Sequence, residues 1–285
     1  MESERTVPDG WSPSSLDLWL QCPAKFEQER VLGRRGPAGV DALVGTYVHL
    51  VLEGLMGLPA GERSVEAAKR LLLECWPEVV ANAEWVALGY AAESEEVRTF
   101  RRRAWAGVRG YFEIEDPDRV QVVAREQYVS AVVEGVPLRG IIDRVDRDVF
   151  DDLVVSDYKT GKVPAPMFRG GKLRQLALYA AVLGEVEGRL PAEGRLLFTT
   201  FGKVVSASVT AESVAVAVEV AGDAWDGLQL AESGAGYRAQ PGPLCGWCPF
   251  VGECDAGLAE VRERLAAGKL KKSAPAYALA AQVEG

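Results

Sequence analysis

Two short stretches near the middle of the chain place carboxylates and an amine where they could act on one substrate. In Val154-Val155-Ser156-Asp157-Tyr158-Lys159-Thr160-Gly161, Asp157 and Lys159 are two positions apart, so on a strand both side chains leave the same face. In Gly140-Ile141-Ile142-Asp143 the aspartate shares a strand face with Ile141 and Val145, and an isolated charge there is costly to bury unless it is paired or holds a metal. If the two strands are neighbours, two carboxylates meet one lysine. Hard carboxylate oxygens hold magnesium or manganese, which polarises a phosphate and lowers the pKa of a coordinated water. A lysine beside them can orient water or stabilise developing charge. That is the equipment of phosphodiester hydrolysis, although a surface hairpin with an ordinary Asp-Lys ion pair carries the same local pattern.

Three further residues join this set by their order in the chain. His49, the single histidine, falls within Val44-Gly45-Thr46-Tyr47-Val48-His49-Leu50, where taken alone it reads as a packed helix residue or a ligand. Gln175 and Tyr179 are four apart and so share one face of a helix. Taken together, the helix histidine, the Gly-x-x-Asp strand, the Asp-x-Lys strand and the Gln-x-x-x-Tyr helix resemble the RecB-like branch of the PD-(D/E)XK nuclease superfamily. That resemblance implies His49, Asp143 and Asp157 as ligands of Mg2+ or Mn2+, with the Tyr158 carbonyl as a further one. It implies Lys159 as the catalytic lysine, acting with Asp143 and Asp157, and Gln175 and Tyr179 as residues that position the substrate strand. Glu126, on the strand before Asp143, is placed behind the ligands. No proline precedes Asp143, a departure from the motif that names the superfamily.

Cysteines supply a second constellation. Cys245, Cys248 and Cys254 form a C-x2-C-x5-C run, and Cys22 stands far upstream in Gln21-Cys22-Pro23. Five cysteines are an odd count for a disulfide framework, and metal or cluster ligation suits a reducing compartment better. Zinc accepts four thiolates but usually takes them as two local pairs. One distant cysteine plus a C-terminal trio is similar to the iron-sulfur subgroup of RecB-like nucleases, which includes the AddB nuclease domain and the small exonuclease of CRISPR adaptation modules. By that resemblance the four cysteines hold a structural 4Fe-4S cluster. Cys75 falls outside the pattern and reads as a buried apolar thiol.

The elements that must position these residues follow from the periodicity of apolar positions. Helices are predicted over about 12–26, 40–57, 64–83 and 94–113; strands over 120–126, 138–149 and 152–158; a helix over 173–188; strands over 195–201 and 203–209; and a last helix over 211–232. The pattern is α/β, and the resemblance implies a restriction-endonuclease-like core, a central mixed sheet flanked by helices. The reading divides one integrated domain into a helical N-terminal region (1–115) carrying Cys22 and His49, a nuclease core (116–233) and a C-terminal iron-sulfur region and tail (234–285), loosely ordered after Lys272.

Composition bounds the partners. The formal charge of −9 argues against a protein that coats nucleic acid, while local basic clusters at 98–103, 169–174 and 269–272 could be strand contacts or solvated helix faces. Trp105 and Tyr111 could likewise stack on bases or pack in the core. No uninterrupted apolar run of membrane-spanning length and no basic-then-apolar opening are present, so a cytoplasmic protein with no membrane partner is expected. The functional expectation is a metal-dependent exonuclease acting on DNA, with single-stranded ends as substrate. It would serve recombination and repair or CRISPR adaptation, beside a helicase or CRISPR integration proteins. The alternative is a catalytically silent nuclease fold used for DNA binding or partner docking, which the presence of His49, Asp143, Asp157 and Lys159 disfavours.

Overall fold

Serine and proline open the first helix: Ser12 and Ser15 bond reciprocally across the first turn of α1 (Pro13–Gln21), and Pro13 takes a position whose amide would have no partner. A computed structural model describes residues 5–34, 36–37 and 39–281. After α1, Pro23 starts the short α2 (Pro23–Phe26), which leaves Cys22 at the junction of the two helices. The apolar α3 (Val40–Gly57) follows, burying Leu43, Val44, Tyr47, Val48, Val51, Leu52, Leu55 and Met56. By length and composition α3 could cross a bilayer, yet these side chains pack in a protein core with Phe100, Val108, Tyr111 and Tyr158.

One helix is predicted over 64–83; three short ones form instead, α4 (Val65–Glu74), α5 (Trp76–Ala81) and α6 (Ala83–Ala87). Pro77 has no amide to give the carbonyl four residues back, which breaks the helix at Cys75. Asn82 then caps α6 by accepting from the Glu84 amide at 2.8 Å. Ser94 caps α7 (Glu95–Tyr111), which packs against α3.

Five strands form one mixed sheet in the order β1-β2-β3-β4-β5. They are β1 (Gln121–Val133), β2 (Val136–Arg147), β3 (Leu153–Lys159), β4 (Glu193–Phe198) and β5 (Lys203–Ser208). β1 runs past the predicted 120–126, because the hairpin turn lies at Glu134-Gly135, both at positive φ (49° and 83°), the pairing that matches strand twist in a two-residue loop. β3 is buried from Leu153 through Tyr158, the pattern of a strand covered on both faces. It pairs antiparallel with β2 and parallel with β4. The parallel step requires a crossover, supplied by α8 (Gly170–Glu187), which ends on Gly188 in the left-handed region. α9 (Ala211–Leu230), α10 (Asp255–Ala266) and α11 (Ala276–Ala281) complete the chain. The segment after Lys272, expected to be loose, contains α11, whose Ala276 and Ala280 pack with Val251, Val261 and Leu270; residues 282–285 lie outside the described residues.

The described chain divides into two compact units: residues up to Pro37 together with those from Val220 onward, and the residues between. The sheet, α3 to α8 and the start of α9 belong to the central unit. In the terminal unit the core is aromatic: Trp11 packs on Trp19, Phe26 and Trp225 with ring centroids 5.9, 5.4 and 5.9 Å away, and its indole N–H donates to the Ala221 carbonyl at 3.0 Å.

Candidate metal centre and cysteine cavity

Strand pairing brings the two aspartates together. Arg144 pairs with Ser156 across β2 and β3, and continuing that register by one residue sets Asp143 opposite Asp157. Both are buried, at 8% and 2% exposure. Asp143 Oδ2 accepts the Tyr158 amide at 2.7 Å, which ties the two strands at the site. His49 enters from α3: its Nδ1 lies 3.5 Å from Asp143 Oδ2 and its Nε2 3.0 Å from the Tyr158 carbonyl oxygen. Glu126 enters from β1, where its backbone adopts φ 41°, a left-handed conformation uncommon for a non-glycine residue. The ligand atoms of His49, Glu126 and Asp143 all lie within 4.8 Å of one another. Asp157 faces its own partners: Lys159 Nζ pairs with Oδ2, and Gln175 Nε2 donates to Oδ1 at 2.6 Å. Tyr179, one turn on from Gln175 along α8, holds its hydroxyl 3.4 Å from the same amide nitrogen.

The electrostatics of this cluster call for a cation. Half-burial and the neighbouring Asp143 push Glu126 up to about 7. Burial raises Asp157, with Lys159 opposing and Asp143 reinforcing the shift. Burial alone would lower His49, but its hydrogen bond to Asp143 and the charges of Asp143, Asp157 and Glu126 outweigh it, so its pKa is raised. His49, Glu126, Asp143 and the Tyr158 carbonyl thus lie together, beside an Asp157 whose charge Lys159 offsets. That donor set, hard oxygens with one imidazole, fits a divalent ion held through His49, Glu126, Asp143 and the Tyr158 carbonyl.

A pH dependence follows for protein kept in chelator. Glu126 has a higher pKa folded than its ordinary 4.5, and His49 a higher one than its ordinary 6.5. Each therefore contributes stability when protonated, fully present below its ordinary pKa and lost as pH rises through the folded value. The melting temperature in chelator is expected to fall between pH 5 and 8, and added manganese to restore more of it at pH 8 than at pH 5; calorimetric scans at both pH values, with and without the metal, check this. A metal-free melting temperature that rises over this interval contradicts the charge arrangement.

Beneath the site lies a buried cation that sequence reading missed. Arg144, fully buried, donates from Nε to Asp146 at 2.9 Å and from Nη1 to the hydroxyls of Tyr111 at 2.9 Å and Tyr158 at 3.1 Å. Its Nη2 reaches Glu115 at 2.6 Å, and Ser156 donates to Asp146 at 3.0 Å. Desolvation opposes the charge on Arg144, but the surrounding acidic groups overcome it and hold the guanidinium protonated. Tyr158 is thereby fixed at its ring end by Arg144 and at its backbone by Asp143 and His49. The signal was present in Ile142-Asp143-Arg144-Val145-Asp146, where alternation puts charge on both faces of a buried strand.

In the terminal unit Cys22, Cys245, Cys248 and Cys254 line one cavity of about 180 Å³ with Lys25 and Gln240. Backbone amides point at three of the sulfurs: Gln240 at Cys22 (3.4 Å), Gly242 at Cys245 (3.4 Å) and Gly257 at Cys254 (3.3 Å). Cys75 lies in the central unit, half-buried beside Trp76, and burial raises its thiol pKa.

Every residue singled out from the sequence for catalysis therefore lies in the central unit, and every cysteine singled out for the cluster in the terminal one. Comparison with known proteins adds the family. The solved structures similar to this chain include one of a Eubacterium rectale protein described as a candidate exonuclease, at 12% identity and a TM-score of 0.48, covering 79% of this chain and 82% of that one. Another is SSO0001, at 14% identity and a TM-score of 0.40, covering 88% of each chain. No curated protein matches the sequence. The family profile of the PD-(D/E)XK nuclease superfamily matches residues 10–255, a span that contains both the carboxylate-lysine cluster and all four cysteines of the cavity, and the chain belongs to that superfamily.

Proposed function

We propose that the protein is a DNA exonuclease that uses Mg2+ or Mn2+ to hydrolyse phosphodiester bonds at single-stranded ends. The observation that carries this reading is the convergence of His49, Glu126 and Asp143 within 4.8 Å beside the ion pair of buried Asp157 with partly exposed Lys159. A divalent ion in this cluster supplies Lewis acidity toward a phosphate oxygen. His49, Asp143, Glu126 and the Tyr158 carbonyl are its ligands in this reading, with Asp157 completing the negative charge around it. Lys159 stabilises the charge that develops on the phosphate, and Gln175 keeps Asp157 oriented toward it. Tyr179 positions the strand. The competing use, a silent docking module, gives no reason to pair Lys159 with a buried aspartate next to a histidine and two further carboxylates within ligand reach of one another.

An assay with end-labelled single and double strands, with and without manganese, tests the reading. Metal-dependent release of nucleotides from single-stranded ends is expected, and absence of hydrolysis under all these conditions would overturn it. Lys159→Ala is expected to lose turnover while calorimetry still detects manganese binding; unchanged turnover removes the lysine from catalysis.

The reading includes a structural 4Fe-4S cluster on Cys22, Cys245, Cys248 and Cys254, supported by the cavity they line and the amides directed at their sulfurs. Protein purified without oxygen is expected to be brown and to contain iron and acid-labile sulfide, and Cys22→Ser to bleach and destabilise it, because ligation free energy counts toward folding. Colourless protein with stoichiometric zinc sinks the cluster.

A further inference from the structure

A second cavity in the central unit, about 640 Å³, is lined by Trp76, Trp85, Tyr90, Val97, Arg98 and Arg101 among others. It is not the metal centre. Tyr47, two residues before His49 on α3, packs on Trp76 with centroids 5.8 Å apart, and two helical residues correspond to a rotation of about 200°; the imidazole and the aromatic cavity therefore lie off opposite sides of α3. The cavity walls are set rigidly. Trp85, 7% exposed, packs on Phe100 at 4.6 Å, Trp76 at 5.2 Å and Tyr90 at 5.7 Å.

Charge selects among the possible occupants. Arg98 is tied to Glu95 at 3.0 Å. Arg101 lies over the Trp76 ring, 5.2 Å from its centroid, and makes no ion pair with a carboxylate among the described residues. An aromatic cage without cations would suit an alkylammonium ligand; here Glu95 offsets Arg98 and Glu93 also lines the cavity, which leaves Arg101 as the guanidinium that disfavours one. A purely apolar partner would cover Arg101 and leave it with no anion, a costly burial. A planar ring carrying a negative ester answers both features: π-stacking for Trp76 and an anion for Arg101. The volume falls within the roughly 300–1,000 Å³ usual for ligand sites.

We propose that this cavity takes an unpaired nucleobase of single-stranded DNA, stacked on the partly buried Trp76, with Trp85 and Tyr90 forming the adjoining wall and the adjoining phosphate on Arg101 and Arg98. It is a second hold on the strand, outside the metal centre, and as a substrate contact it rests on the nuclease reading above. Base–aromatic stacking of this kind tolerates any sequence.

The test is anisotropy of fluorescein-labelled (dT)20 with the full chain and no added divalent metal. Trp76→Leu is expected to weaken binding about 5- to 100-fold. Arg101→Gln, at a partly exposed position that leaves the cavity wall in place, is expected to lower the slope of log affinity against log salt by about one. An abasic 20-mer is expected to bind the native protein and Trp76→Leu alike. Native-like binding of (dT)20 by both variants overturns the proposal, as does an equal loss for the abasic strand, which would make the contact one of phosphate only. Cleavage in manganese separates this from the broader reading. If the native protein cuts no DNA while Trp76→Leu still loses (dT)20 binding and retains abasic binding, the nuclease reading fails and the cavity stands. If the native protein cuts and neither variant is impaired in binding, the cavity alone fails.

Discussion

Replacing Asp143 by asparagine is expected to lower DNA hydrolysis by on the order of 10³-fold, because Lewis-acid stabilisation worth several kcal/mol is lost with the ligand and each 1.36 kcal/mol is a factor of ten. The substitution is nearly isosteric. Its side-chain carbonyl can still accept the Tyr158 amide that Asp143 Oδ2 accepts at 2.7 Å, so the β2–β3 tie is retained and circular dichroism should match the native protein. What disappears is the charge between His49 and Glu126. Calorimetric titration with manganese should show weakened binding alongside the lost turnover; full turnover by the variant would falsify the assignment of the metal centre to this cluster.

Arg144→Met should produce the largest loss of stability of any single substitution discussed, about 3–5 kcal/mol, the cost of leaving buried charges without their counter-ion. The arginine is fully buried, and Asp146 and Glu115 point at it with side chains only 5% and 17% exposed. A methionine fills much of the space but neutralises neither acid. Adding Asp146→Leu removes one of the stranded carboxylates, and the double variant should recover part of the loss, since replacing a buried ion pair by apolar groups is often neutral. Urea unfolding of the native protein and both variants decides it. A single variant within about 1 kcal/mol of native would mean that water reaches the acids and that the network is not sealed. Any variant that folds should also show weaker metal binding, because Arg144 holds the Tyr158 ring whose backbone carbonyl faces His49.

Much of this was legible in the sequence. Asp157 and Lys159 fall on one strand, two positions apart, and pair with each other, and Gln175 and Tyr179 fall one turn apart on one helix. The four cysteines line one cavity; it was the resemblance, and not their spacing, that joined the distant Cys22 to the other three. What escaped notice depends on geometry that alternation does not encode. Glu126 was set behind the ligands, yet its positive φ and the register slip between Val122 and Ala124 re-aim β1 locally, and its carboxylate joins His49 and Asp143. A bulge adds a residue without leaving a compositional mark. Arg144 was passed over for a different reason: its charge lies on the opposite strand face from Asp143, and only a strand covered on both faces carries both inside.

The terminal unit is assembled from two stretches that the central unit separates in sequence, and this sets a timetable for its synthesis. Trp11, Trp19 and Phe26 leave the ribosome early, but their packing partners Trp225 and Tyr237 are translated some 200 residues later, a delay of roughly 10–40 seconds at 5–20 residues per second. The central portion can collapse in that interval. Meanwhile a run of tryptophan and phenylalanine dangles from the nascent chain, a natural grip for holdase chaperones and a seed for clumping when expression outpaces them.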